Sequence, residues 1–118
     1  MGDARVLIVD DEPKIREVLR RYLAADGFEV AEASNGDEAL APAARLHPEV
    51  VVLDVRLPGR DGFAVLSELR RTSDVYVIML TARAEEIDKL RGLSLGADDY
   101  VPKPFSPREV AALVKAVI

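Results

Sequence analysis

The stretch that most constrains this chain is Val50-Val51-Val52-Leu53, four consecutive apolar residues, three of them β-branched, running straight into Asp54. A strand without polar alternation is buried on both faces, and such strands belong to parallel sheets covered by helices on either side. A carboxylate buried without a partner is costly, so Asp54 belongs at the strand's C-terminal tip. There the crevice of an open α/β sheet meets solvent and binds ligands.

The rest of the chain repeats the pattern. Residues 5–9, an arginine followed by Val-Leu-Ile-Val, stop at Asp10-Asp11-Glu12. Pro13 suits a helix's first position, and Ile15, Val18, Leu19, Tyr22 and Leu23 share one helical face before Gly27. Residues 28–33 contain a short alternating piece, Phe28 and Val30 against Glu29 and Glu32, consistent with a strand nearer a sheet edge. A second helix is expected over residues 37–46, kinked or late-starting because Pro42 lies inside it. His47 reads as a surface residue. A turn at residues 58–62 precedes a helix over residues 63–71 with Leu66 and Leu69 on its buried face. Val75-Tyr76-Val77-Ile78-Met79-Leu80 is the fourth strand and ends on Thr81. Residues 85–95 are helical with a thin apolar face, Ile87, Leu90 and Leu93, which suits an element that moves. A short strand, Tyr100-Val101-Pro102, leads to Lys103, and the last helix begins near Ser106-Pro107 with Val110, Leu113, Val114 and Val117 on one face. Five strands alternating with five helices predict a single α/β domain over residues 1–118, a doubly wound parallel sheet with right-handed crossovers. The chain stops at Ile118 inside a helical pattern, which favours an excised domain.

Composition narrows the chemistry. With no cysteine there are no disulfides or thiolate metal sites, so a metal would be held by oxygens or by the one histidine. The net charge of −5 offers no basic footprint for nucleic acid, so any DNA contact is expected from another domain. No apolar run is long enough to span a membrane and the N-terminus lacks a signal-peptide pattern, from which a cytoplasmic location is expected.

Four strands end on chemically capable residues: Asp10 with Asp11, then Asp54, Thr81 and Lys103. In a parallel sheet all C-terminal ends share one edge, so these residues converge although they are far apart in sequence. Each alone has a plain structural explanation, a helix cap for the acids and Thr81 and a surface position for Lys103; their recurrence is what points to a site. Clustered carboxylates raise one another's pKa, and a hard divalent cation relieves the repulsion. Beside Mg²⁺, an Asp54 oxygen can attack phosphorus in line while the Lys103 ammonium and the Thr81 hydroxyl meet the equatorial oxygens. A cis Lys103-Pro104 bond would direct the lysine into the crevice.

The segments Leu7-Ile8-Val9-Asp10-Asp11-Glu12, Leu53-Asp54-Val55-Arg56-Leu57-Pro58-Gly59-Arg60-Asp61-Gly62, Leu80-Thr81-Ala82-Arg83 and Gly96-Ala97-Asp98-Asp99-Tyr100-Val101-Pro102-Lys103-Pro104-Phe105 resemble those of bacterial two-component response-regulator receiver domains. The resemblance covers essentially the whole chain. It implies a flavodoxin-like (βα)5 fold with strand order 2-1-3-4-5, a feature carried over from the family. It further implies that Asp54 takes a phosphoryl group from a sensor histidine kinase, with Mg²⁺ (or Mn²⁺) held by Asp10, Asp11, Asp54 and the backbone carbonyl of Arg56. Lys103 would pair with the phosphoryl oxygen, Thr81 would move to meet it and Tyr100 would turn inward. That would alter the face formed by the helix over residues 85–95, the fifth strand and the last helix. Within the family the chain is most similar to the OmpR/PhoB-like subfamily, whose receivers dimerise through that face and carry a winged-helix DNA-binding output domain. Lys89, Asp98, Asp99 and Glu109 match its dimer-face positions, whereas Leu113 stands where an arginine is common and Pro42 is a second departure. The expected function is a phosphorylation-activated switch controlling transcription, not an enzyme beyond weak self-phosphorylation and self-dephosphorylation.

Other classes fit less well. A phosphatase of the haloacid-dehalogenase type would carry a second aspartate two residues after the nucleophile, where this chain has Arg56. Neither phosphate-binding glycine signature of nucleotide sites is present. A receiver that has lost phosphorylation is disfavoured because every site residue is intact.

Overall fold

β3 (Val50–Asp54) is buried along its whole length, between β1 (Arg5–Val9) and β4 (Tyr76–Thr81). Its side chains feed two cores. Val51 and Leu53 pack on one face of the sheet with Leu7, Val9, Val77 and Met79. Val50 and Val52 pack on the other with Val6, Ile8, Ile78 and Leu80. Burying each such side chain contributes roughly 1.5–3 kcal/mol, which is why an all-apolar strand is stable only at the centre of a two-sided sheet. β2 (Glu29–Ala33) and β5 (Asp99–Pro102) form the edges, all pairings are parallel, and the order is β2-β1-β3-β4-β5, as the resemblance implied. The computed structural model describes residues 4–81 and 96–118. The expected helix over residues 85–95, with Ile87, Leu90 and Leu93 as its anchors, and the positions Arg83 and Lys89 lie outside the described residues.

Four helices are described, α1 (Pro13–Ala25), α2 (Gly36–Leu46), α3 (Gly62–Arg70) and the C-terminal α4 (Pro107–Val117). The second core is covered by α1 through Leu19 and Leu23 and by α4 through Val110, Ala111 and Val114. The first is covered by α2 and α3 through Ala39, Val65, Leu66 and Leu69.

Three expectations need correction. Val18 and Tyr22, expected on the buried face of the first helix, are 37% and 38% exposed. Each lies about 100° around the helix from Leu19 or Leu23, beyond the stripe that faces the sheet. Val117 is likewise 37% exposed, and Ala111 is buried in its stead. The second helix does not start late: it begins at Gly36 and runs through Pro42 to Leu46. Its start is secured by Asn35, whose side chain accepts from the Glu38 N–H at 2.9 Å, while the Glu38 carboxylate turns back to accept from the Ser34 amide and hydroxyl. These bonds from Ser34 hold the Glu38 carboxyl below the usual carboxylate range. The helix ends at His47, exposed and in the left-handed region at φ 48°.

Candidate functional site

The C-terminal ends of β1, β3, β4 and β5 bring Asp10, Asp54, Thr81 and Lys103 to one edge of the sheet. Asp10 is fully buried, Asp54 is 4% exposed and Thr81 is fully buried. The Lys103 ammonium lies between the two carboxylates, 3.0 Å from Asp10 Oδ2 and 3.2 Å from Asp54 Oδ2. The remaining oxygens accept backbone amides, Asp10 Oδ1 from the Glu12 N–H at 2.9 Å and Asp54 Oδ1 from the Arg56 N–H at 3.2 Å. The Lys103 peptide is itself anchored, its N–H donating to the Thr81 carbonyl at 2.6 Å, and the Lys103-Pro104 bond is cis.

Burial pushes the Asp54 carboxyl above its ordinary pKa, and the Asp10 charge adds to this; Lys103 and the Arg56 amide oppose it without cancelling it. Burial works to lower the Lys103 pKa, but the hydrogen bond and charge of Asp10, then those of Asp54, outweigh it and leave the ammonium above its usual range. Because the folded state holds the Asp54 proton more tightly than the unfolded chain, this group lowers stability as pH rises from about 3.9 through its folded pKa. Asp54→Asn is therefore expected to raise the urea midpoint at neutral pH and to flatten that decline. A variant less stable than wild type at neutral pH would contradict this reading of the charge balance.

Asp11 and Glu12 are exposed beside Asp10, and each of the three offers a carboxylate oxygen within 4.8 Å of the others. Such a hard, all-oxygen donor set suits a hard divalent cation better than a soft one. An open crevice of about 530 Å³ lies alongside, lined by Asp11, Val55, Arg56 and Phe63. A larger depression of about 800 Å³ includes His47 and Glu49 at the opposite edge and none of the strand-end residues.

The other sequence-derived positions are more dispersed. Tyr100 is buried, 7% exposed, within the core on the α2 and α3 side. Asp98 sits at the N-terminal edge of β4 and β5, where its Oδ2 accepts from Arg70 at 3.0 Å and from the Val77 N–H at 2.8 Å. Asp99 is half-buried and accepts from the Tyr100 N–H, and Glu109 is exposed in the first turn of α4. Two residues that sequence reasoning missed touch the site. Gly62, at the start of α3, lies so close to β3 that a Cβ there would sit 2.2 Å from the Asp54 carbonyl oxygen. Arg16, on α1, donates to the Asp10 carbonyl at 2.7 Å. Arg16 follows the acidic run by one helical turn, which is the only hint the sequence carries.

A family profile described as the response regulator receiver domain matches residues 6–115. A probable transcriptional regulator ycf27 from Pyropia yezoensis is 51% identical over 114 residues, covering 97% of this chain and 47% of that protein. The transcriptional regulatory protein BaeR of Escherichia coli is 47% identical, covering 97% and 48%. The chain thus spans about half the length of the curated relatives it matches. Among solved structures, the Vibrio cholerae chemotaxis protein CheY4 aligns with TM-score 0.89 at 32% identity, covering 99% of this chain and all of that one. The response regulator TrrA of Thermotoga maritima, solved in complex with Mg(2+)-BeF, aligns with TM-score 0.85 at 38% identity over 98% of this chain and 99% of that one.

Proposed function

The chain belongs to the response regulator receiver domain family, and from that premise we propose that Asp54 accepts a phosphoryl group from the phosphohistidine of a sensor kinase. One observation carries the reading: a lysine ammonium joins two buried carboxylates at the edge of the sheet where the strand-end residues converge. An Asp54 oxygen forms the new P–O bond as the P–N bond to the kinase's histidine breaks, the electron pair leaving with the imidazole nitrogen. Lys103, already at hydrogen-bond distance from Asp54, would turn its ammonium to an equatorial phosphoryl oxygen, and Thr81 on the neighbouring strand would supply a hydroxyl donor. Asp10, Asp11, Asp54 and the Arg56 backbone carbonyl would hold Mg²⁺ (or Mn²⁺), which when bound supplies neutralising charge to the phosphoryl oxygens. Turnover is limited to slow self-phosphorylation and self-dephosphorylation.

In this reading the new charge at Asp54 biases a two-state arrangement of Thr81 and Tyr100 and of the face that carries Lys89, Asp98, Asp99 and Glu109. That face would then join a second copy in a homodimer. DNA would be contacted through an output domain outside residues 1–118, consistent with the acidic balance here and with the transcriptional-regulator names of the relatives. No described helix is long and apolar enough to cross a membrane, and a cytoplasmic location belongs to the same proposal.

Intact mass after incubation with acetyl phosphate tests the reading. Wild type with Mg²⁺ is expected to gain about 80 Da, one phosphoryl group. Chelating the metal should abolish the gain, and so should Asp54→Asn. No gain in wild type, or an undiminished gain in Asp54→Asn, would remove Asp54 as the acceptor.

A further inference from the structure

Arg16 ties the acidic turn to the edge of the sheet. Its Nη1 donates to the Asp10 carbonyl at 2.7 Å while its Nε donates to Glu32 Oε1 on β2 at 3.2 Å, and its side chain is only 18% exposed. Glu32 is in turn held by Arg20 Nε at 2.5 Å, and Arg20 Nη2 reaches the Val30 carbonyl at 3.3 Å. The result is a chain of charge-assisted bonds from the exposed side of α1, across β2, to the backbone of Asp10. With it, every hydrogen-bonding group of Asp10 is engaged: its N–H by the Ala33 carbonyl, its carbonyl by Arg16, and its two carboxylate oxygens by Glu12 and Lys103. Asp11, the next residue, is exposed, and no side chain among the described residues bonds to its carboxylate.

We propose that Arg16 is a positioning residue for the cation site: clamped by Glu32, its guanidinium fixes the Asp10 carbonyl and so holds the Asp10-Asp11 turn with the Asp11 carboxylate facing the cation. The inference rests on the reading of the acidic cluster as the Mg²⁺ site. A planar guanidinium serves here because one rigid fork spans two acceptors on different elements, which a lysine ammonium does with poorer definition. Partners of this kind around a metal site are commonly worth 10–100-fold in affinity.

The sign of the effect separates positioning from charge. Arg16 is a cation beside an acidic cluster, so deleting it would, by charge alone, tighten Mg²⁺ binding. Positioning predicts the reverse. Titration of the unphosphorylated protein with MgCl₂ by calorimetry is expected to show affinity about tenfold weaker in Arg16→Gln. Arg16→Lys should lie between the two. Glu32→Gln, which touches the site only through Arg16, should weaken binding to a smaller extent, and Arg16→Gln/Glu32→Gln should be no weaker than Arg16→Gln alone. Arg16→Lys, which keeps the charge, also carries the test should Arg16→Gln fold poorly, because charge alone predicts no change there and positioning predicts weaker binding. Unchanged or tighter binding in Arg16→Gln, wild-type affinity in Arg16→Lys, or additive losses in the double variant would each overturn the proposal while leaving the Mg²⁺ site intact. Wild type that fails to bind Mg²⁺ would defeat the site itself and this inference with it.

Discussion

Lys103→Met is expected to destabilise the fold by about 3–5 kcal/mol at neutral pH, the range for removing one partner from a buried charge group. The two carboxylates it joins have side chains 0% and 6% exposed, so neither can turn to water for compensation. Two amide donors would remain, Glu12 N–H on Asp10 and Arg56 N–H on Asp54, and neither brings a full charge. The loss should depend on pH. Asp54 already sits above its ordinary pKa with the ammonium in place, and without it the shift grows, so the variant relieves the repulsion by taking up a proton. The penalty measured by urea denaturation should therefore be larger at about pH 8 than at about pH 5. At the alkaline end the order changes. The raised Lys103 pKa means wild type loses stability as pH rises from about 10.4 through the folded value, and the variant has no such group to lose. Lys103→Met/Asp54→Asn should recover a large part of the neutral-pH loss, because only Asp10 then lacks its cation. A penalty independent of pH and untouched by the second substitution would mean that packing of the lysine stem, not charge, sets the cost.

The parts of this architecture that show in the sequence are those governed by local pattern. Val50 to Leu53 reads as an interior strand, because an edge strand does not bury four adjacent side chains, and a parallel sheet covered on both faces follows from it. The same logic placed Asp10, Asp54, Thr81 and Lys103 at strand ends, where parallel topology alone makes them neighbours. What the pattern blurs is the width of a helix's buried stripe. Val18, Tyr22 and Val117 have apolar side chains at helical spacing, and only the orientation of each helix on the sheet decides that they face outward. Contacts made by backbone are further still from view. Arg16 reaches the Asp10 carbonyl as well as the Glu32 carboxylate, and Arg70 reaches the carbonyls of Val75 and Gly96 as well as Asp98; the carbonyl partners carry no residue type that would mark them in the sequence. Asp98, whose position matches the subfamily's dimer face, also accepts from Arg70 and from the Val77 amide within the chain, a coupling between α3 and the start of β4.

Gly62→Ala is expected to be nearly as damaging as Lys103→Met, for a reason that involves no charge. A Cβ at this position would lie 2.2 Å from the Asp54 carbonyl oxygen, 2.8 Å from the Val55 Cα and 3.0 Å from the Asp54 carbonyl carbon. All three are main-chain atoms, so no side chain can rotate away. The close approach is maintained by the Gly62 N–H, which donates to the Val55 carbonyl at 2.9 Å and seats the start of α3 directly on the end of β3. Relief requires either α3 to withdraw or Asp54 to shift. Over-packing of a rigid site costs about 1–3 kcal/mol and at times more, and with backbone on the other side the upper end applies, well above the gain of up to ~1 kcal/mol from replacing glycine by alanine in a helix. Gly27→Ala provides the comparison. That glycine has φ +91° and nothing within 4 Å of the added Cβ, so its cost is the left-handed backbone alone, about 1–2 kcal/mol. Urea midpoints should therefore fall further for Gly62→Ala than for Gly27→Ala, and phosphoryl uptake should drop only in the former, because only there is the acceptor's own peptide displaced. Equal midpoints with uptake intact in Gly62→Ala would show that α3 can back away from β3 without moving Asp54.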